Sequence, residues 1–149
     1  MQPHSLFSFF YVHLQQKFIN DEEDYSFAAT LFALSACQES LEQRALRTLQ
    51  DYSDKNCPMM LSEQITMDSC AFELSTHTLH YYYTLSGEMD NDSTMDSEAM
   101  RQMLVDALKN ETSTRVYKEA GYSFQYTYHS QSKRGQVLFD ATMTKEDYQ

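Results

Sequence analysis

Three stretches of this chain alternate apolar or aromatic residues with polar ones at every second position, namely residues 76–85, 122–129 and 137–143. A two-residue period is typical of β-strands that bury one face and leave the other face in water. In the first stretch, the residues that share the more apolar face are His77, Leu79, Tyr81, Tyr83 and Leu85. The chain is therefore predicted to fold around a β-sheet with one covered face.

Residues 65–74 are also strand-like, but they break this two-residue period. Their apolar side chains change parity between Met67 and Cys70. A β-bulge near Asp68–Ser69 would bring both sets of side chains to the same face of the sheet. Short turns separate the first and second of the four strand-like segments, and the third and fourth, so two hairpins are predicted.

Segments with helical spacing lie before and between these hairpins. Apolar residues recur every three or four positions over residues 41–54, and again after a start near residues 93–96. Residues 114–120 fit a short additional helix, which Gly121 can end in a left-handed conformation. The order α-β-β-α-β-β predicts a two-layer α+β domain, with helices on one face of a four-stranded, mainly antiparallel sheet.

The charge of the chain restricts its partners. The 149 residues include 11 Lys and Arg against 22 Asp and Glu, a formal net charge of −11. Such a surface repels phosphate backbones, so nucleic acid is not expected as a partner. The three glycines lie far apart, which excludes the clustered glycines of a P-loop or a dinucleotide-binding turn.

The segment Leu34-Ser35-Ala36-Cys37 closes an apolar run that begins at Phe27. Small residues before a cysteine, at the end of a short apolar segment, resemble a bacterial lipobox, and the run has the length of a signal-peptide core. Residues 1–37 are then the signal-peptide and lipobox region: everything before Cys37 is removed on export, and Cys37 carries the lipid. Residues 38–149 form a single domain. The alternative is a buried or amphipathic helix that happens to end in Ser-Ala-Cys.

The flank before this apolar run is acidic, Asn20-Asp-Glu-Glu-Asp24, where a signal peptide would be basic. Codons for Asp-Glu-Glu-Asp that are shifted by one base can read Met-Lys-Lys, which is a suitable start for a lipoprotein signal. We therefore hypothesise that residues 1–24 come from a wrong reading frame upstream of the true start. If instead they are translated and the signal is not real, the chain is a cytosolic α+β protein.

Cys57 and Cys70 are the remaining thiols if Cys37 is lipidated. In an oxidising compartment they could form a disulfide. The alternative is two separate thiols that behave as small apolar side chains.

A candidate binding surface is predicted on the polar faces of the strands, at His80, Tyr82 and His129. Tyr82 is the expected exposed member of the tyrosine-rich segments, whose other rings are expected to pack in the core. An enzymatic alternative brings His80, His129 and Asp140 together as a metal or hydrogen-bonding site. No catalytic constellation is recognisable, so no catalytic residue, cofactor or metal is predicted.

The chain resembles a group of small bacterial lipoproteins of uncharacterised role over about residues 40–143. The motifs that carry this resemblance are Asn56-Cys-Pro58, Met67-Asp-Ser69, Leu79–Leu85, Gly121–Tyr128 and Gly135–Leu138. Its element order is also similar to that of pilotin-type lipoproteins, which help secretins to assemble. The resemblance transfers no catalytic residue to this chain.

The expected function is that of a non-enzymatic, lipid-anchored envelope protein that binds another protein or a peptide, along a sheet edge or beside the tyrosines. Its expected contacts are the membrane, through the lipid on Cys37, and an unidentified envelope protein. Gln38 after the cysteine is compatible with sorting to the outer membrane, facing the periplasm. A small envelope hydrolase or ligand-binding enzyme is the alternative.

Overall fold

A computed structural model describes residues 39–92 and 96–149, and within it Leu41–Gln149 forms one compact unit. The helices and strands in chain order are α1 Leu41–Asn56, β1 Met59–Ser62, β2 Ile65–Glu73, β3 Thr78–Leu85, α2 Ser97–Asn110, α3 Arg115–Glu119, β4 Ser123–Ser130, β5 Val137–Met143 and α4 Lys145–Tyr148. A 3₁₀ turn, Gly87–Met89, follows β3. The domain is thus of the α+β class, as the sequence predicts.

The sheet has five strands in the order β1-β2-β3-β4-β5. The prediction of four strands missed β1, which is only four residues long and pairs antiparallel with β2. A segment this short carries too few positions to show a period, and its pairing with β2 is what makes it a strand. Both predicted hairpins are confirmed, β2 with β3 and β4 with β5.

The two hairpins join through a parallel pair, β3 with β4, so the sheet is mixed. A parallel pair needs a crossover connection, and here the connection contains α2 and α3. The predicted bulge in β2 is also confirmed, because the register with β3 shifts between Met67 and Ser69. Ile65 and Met67 before the bulge, and Cys70 after it, are consequently all buried.

The helices lie against one face of the sheet. At α1, the Cys70 thiol of β2 donates a hydrogen bond to the Leu49 carbonyl, at 3.3 Å. At α4, the Tyr148 hydroxyl donates to the Tyr122 carbonyl, at 2.7 Å. This covered face contains the core, whose largest fully buried side chains are Tyr128, Phe124, Met67, Leu79, Leu85 and Met143.

Stacked tyrosines connect the two hairpins inside the covered face. The rings of Tyr83 and Tyr128 lie 4.6 Å apart, and those of Tyr81 and Tyr126 lie 5.4 Å apart. Each pair occupies matching positions of the parallel register. Tyr83 and Tyr128 are buried in the core, and Tyr81 and Tyr126 are half-buried beside them, which is the cross-strand packing that the sequence predicts. Burial raises the pKa of all four hydroxyls well above the usual value of tyrosine.

The C-terminal helix α4 is held by charged hydrogen bonds. Asp147 accepts from the Thr144 backbone N–H at 2.7 Å, which completes a capping box at the start of α4. Arg101 of α2 donates to the same carboxylate at 2.7 Å and to the Thr142 carbonyl of β5 at 3.2 Å. The backbone hydrogen bond from Thr144, together with Arg101, lowers the pKa of Asp147.

We expect Asp147→Asn to lower the free energy of unfolding at neutral pH by about 1 kcal/mol, the usual worth of a helix cap. Because the pKa of Asp147 is lower in the folded chain than in the unfolded chain, its carboxylate stabilises the fold above the unfolded-state pKa. That stabilisation is lost as the pH falls through the folded-state pKa. Urea unfolding at a series of pH values should show the two proteins converging in acid. Glu63→Gln, at an exposed carboxylate, is the control, and a difference that persists in acid would contradict the prediction.

Candidate functional site

The face of the sheet that points away from the helices is called the open face below. Its central positions are His80, Tyr82 and Thr84 on β3, Gln125, Thr127 and His129 on β4, and Asp140 on β5. They lie on this face because β-strand side chains alternate, and their neighbours in sequence point into the core. The strand pattern therefore places the three predicted binding residues, His80, Tyr82 and His129, on the same surface.

An aromatic pair lies at the centre of the open face. The rings of His80 and Tyr82 are nearly parallel, with centroids 6.0 Å apart and an interplanar angle of 11°. Both side chains are half-buried, whereas Tyr83 beside them is almost fully buried at 2% exposure. Since β3 is the middle strand of the five, these two rings offer a flat surface in the middle of the sheet.

Hydrogen bonds fix the carboxylates of the open face in position. Asp140 accepts from the Thr127 hydroxyl at 2.6 Å and from the Gln125 amide at 3.0 and 3.1 Å. Asp68, which projects from the bulge of β2, accepts from the Thr84 hydroxyl at 2.8 Å. Each carboxylate keeps capacity for further donors, because an ionised carboxyl group offers about four acceptor sites.

The described strands that form the open face carry acidic side chains and no Lys or Arg. None of the five strands in the described chain contains Lys or Arg. Asp68, Glu73 and Asp140 therefore have no basic strand residue beside them to neutralise them. A surface of this kind attracts a basic or neutral partner and repels an acidic one.

The residues of the enzymatic alternative are not brought together. In the parallel register His80 is opposite Gln125, whereas His129 is opposite Thr84, four residues further along β3. Four residues of strand span about 13 Å. Asp140 is opposite Thr127 and is hydrogen-bonded there. Within the described residues no group of three His, Cys, Asp or Glu side chains could hold a metal ion.

Cys57 and Cys70 are both free thiols in the structure, and both contact the same residue of α1. The hydroxyl of Ser53 accepts from the Cys70 N–H at 3.3 Å, and it also hydrogen-bonds with the Cys57 thiol. Burial raises the pKa of Cys57, and it raises the pKa of Cys70 to about 12. Both thiols are thus poor nucleophiles near neutral pH, and their pairing stays a prediction.

Residues 1–38, and with them Cys37, lie outside the described residues. Helices in the described part of the chain are too short or too polar to span a bilayer.

Two members of the open face, Asp68 and Gln125, were not predicted from the sequence as site residues. The bulge was the available signal for Asp68, but Gln125 is recognisable only once its partner strand is known.

We expect Cys57 and Cys70 to pair when the chain folds in an oxidising compartment. The pairing would raise the free energy of unfolding by about 3 kcal/mol through its effect on the unfolded chain. Non-reducing peptide mapping of protein from the periplasm would detect the linked peptides, and Cys57→Ser should be as stable as the reduced wild type. Recovery of both cysteines as alkylated free thiols would contradict the prediction.

Solved structures with the same fold were found by comparison. A crystal structure of a candidate secreted protein from Pseudomonas aeruginosa matches with a TM-score of 0.60 at 15% identity, over 74% of this chain and 98% of the other. The type II secretion system pilotin AspS from Vibrio cholerae matches with a TM-score of 0.53 at 19% identity, over 71% and 90%. The pilotin EpsS of the Vibrio vulnificus type 2 secretion system matches with a TM-score of 0.57 at 13% identity, over 72% and 91%.

These similarities show that the fold is pilotin-like, which agrees with the element order seen in the sequence. No curated protein matches the chain in a sequence comparison. One family profile covers residues 40–139, from the start of α1 into β5, and it therefore includes most of the open face. On the strength of that match, the chain belongs to the family described as a domain of unknown function, DUF8479.

Proposed function

We propose that this protein is a non-enzymatic, lipid-anchored component of the bacterial cell envelope, and that its open face binds another protein or a peptide. The observation that carries this proposal is the open face itself. It is a sheet surface that the described helices leave uncovered, with an aromatic pair at its centre and fixed carboxylates around that pair.

The composition of the open face suits protein binding better than catalysis. Tyrosine is enriched in interfaces because its ring supplies a large contact area while its hydroxyl can hydrogen-bond. Tyr82, with His80 stacked beside it, fits the role of a central anchor. Asp140 and Asp68 are already oriented by hydrogen bonds from their neighbours. Less side-chain entropy would therefore be lost when a hydrogen-bond donor of the partner binds to them.

The proposed anchor is a lipid on Cys37. Stable attachment needs more than one acyl chain, which bacterial lipoprotein processing would supply. Gln38 is compatible with transfer to the outer membrane, where the domain would face the periplasm. The pilotin-like fold supports this location, since two of the matching structures are pilotins of type II secretion.

The proposed partner is an envelope protein with a basic or neutral contact surface. The likeness to pilotins makes a secretin of the same cell the first partner to probe. The proposal does not require a secretin, because the charge of the open face restricts only the charge of the partner's contact surface, which must be basic or neutral.

The anchor is tested by metabolic labelling with palmitate. The full-length protein should incorporate the label and partition with the membrane fraction, and Cys37→Ser should lose both properties because the acylated atom is absent. Cys57→Ser is the matched control and should keep the label. Equal labelling of the wild type and Cys37→Ser would contradict the proposed anchor.

The open face is tested by replacing Tyr82 with a photo-crosslinking phenylalanine analogue in the full-length protein in its own cells. Gln102, an exposed residue on α2, is the matched control position on the helical side. We expect an adduct with an envelope protein at position 82 but not at position 102. Asp140→Lys should reduce the adduct roughly tenfold, since a repulsive charge that costs about 1.4 kcal/mol changes affinity by that factor. Equal adducts at both positions, from a chain whose circular dichroism is unchanged, would contradict the proposed site.

A further inference from the structure

The end of the sheet at which β3 and β4 begin is called the entry end below, because the chain enters the domain there through α1. An aromatic cluster lies at this end. The His77 ring stacks on the Tyr122 ring, with centroids 5.1 Å apart. The Tyr117 ring of α3 also stacks on Tyr122, with centroids 5.8 Å apart and an interplanar angle of 24°. The His77 Nε2 atom lies 3.7 Å from Glu42 Oε1, so the start of α1, the β2–β3 turn and α3 meet here.

Exposed apolar side chains concentrate around this cluster. Among the described residues five large hydrophobic side chains are exposed, and three belong to the elements that meet at the entry end. They are Leu46 of α1 at 45% exposure, Leu74 of the β2–β3 turn at 56% and Val116 of α3 at 40%. Single exposed hydrophobic side chains are ordinary, so the three have meaning only together, as apolar groups that the entry end can present to one apolar surface.

The distribution of charge distinguishes this end from the opposite one. Around the entry end, the described residues Glu39, Glu42, Glu73 and Glu119 are balanced by Arg44, Arg47, Arg115 and Lys118. Arg44 is exposed, on the opposite flank of α1 from Leu46. At the opposite end, the segment after β3 bears Glu88, Asp90 and Asp92, and it contacts the β4–β5 turn, where Ser132 N–H donates to Asp90 at 2.7 Å. Lys133 and Arg134 in that turn only partly balance these acids. An anionic surface would therefore meet the entry end more favourably than the opposite end.

The position of Cys37 in the chain indicates that the surface facing the entry end is a membrane. Four peptide units separate Cys37 from Leu41, the first residue of α1. Even when fully extended, four residues span at most about 14 Å. A lipid on Cys37 would thus hold the start of α1 close to the phospholipid headgroups.

We infer that the entry end is a membrane-contact surface, on which Leu46, Leu74 and Val116 enter the headgroup region of the bilayer and Arg44 pairs with anionic phosphates. This inference rests on the proposed lipid anchor. β3 and β4 run from the entry end to the opposite end, so the sheet stands upright on the membrane. The open face is then displayed sideways, where a membrane-embedded partner can reach it.

The chain contains no Trp, so one introduced Trp reports its own surroundings. The experiment uses the processed protein, acylated on Cys37, in vesicles of phosphatidylethanolamine and phosphatidylglycerol, with a spin label on the lipid acyl chains close to the headgroup. We expect about a twofold loss of fluorescence for Leu74→Trp. Val137→Trp is the matched control, because Val137 is similarly exposed, at 48%, but begins β5 at the other end of the sheet. Its fluorescence should change little.

Arg44→Glu in the Leu74→Trp background should weaken the quenching in these vesicles more than in vesicles of phosphatidylcholine alone. Equal quenching of Leu74→Trp and Val137→Trp in an acylated, vesicle-bound protein would overturn the membrane-contact surface and leave the anchor intact. The absence of an acyl mass on Cys37 would overturn the anchor and this orientation together. Circular dichroism of each variant verifies that the domain is folded.

Discussion

The parallel pairing of β3 with β4 is the interaction on which the rest of this structure depends. Each hairpin alone is a two-stranded unit with one apolar face, and such a unit is marginally stable in water. The stacks of Tyr81 on Tyr126 and of Tyr83 on Tyr128 form only when β3 and β4 are in their observed register. That pairing merges two local structures into one sheet and gives the helices of both halves a common surface to cover.

The same pairing determines the chemistry of both faces. Because side chains alternate, the register that buries Tyr83 against Tyr128 also places Tyr82 opposite Thr127 on the open face. A shift by one residue would exchange the two faces. The bulge at Asp68 serves the same end in β2, since it keeps the apolar residues on both sides of it in the core and leaves the Asp68 carboxylate at the polar surface.

The sequence predicts those parts of the fold that depend on local periodicity. The four longer strands, the bulge, the two hairpins and the helices α1 to α3 are all recognisable from spacing, and Gly121 does adopt a positive φ of 78°. The strand β1 and the helix α4 have only four residues each, so they are stabilised by contacts with distant residues and show no pattern of their own. The parallel direction of β3 and β4 also could not be predicted, because a crossover through helices is compatible with either direction.

The candidate site can likewise be predicted only where it depends on local periodicity, and not where it depends on contacts between distant residues. Alternation alone predicts that His80 and Tyr82 share a face, and the structure places them there. Whether His80 and His129 approach each other depends on the register between β3 and β4, which no local pattern encodes. The register of β3 with β4 separates the two histidines. The pairing of β4 with β5 instead places Gln125 and Thr127 beside Asp140.

The hydrogen bond from Arg101 to the Thr142 carbonyl has a consequence for assembly. β5 is an outer strand of the sheet, and outer strands are templates for the addition of a strand from another chain. A chain that added along the whole of β5 would have to compete with Arg101 for the Thr142 carbonyl. Because the same guanidinium group holds Asp147, displacement of Arg101 would also loosen the cap of α4. Two copies of this chain would thus be discouraged from joining edge to edge along β5, because the added strand would cost both of these hydrogen bonds.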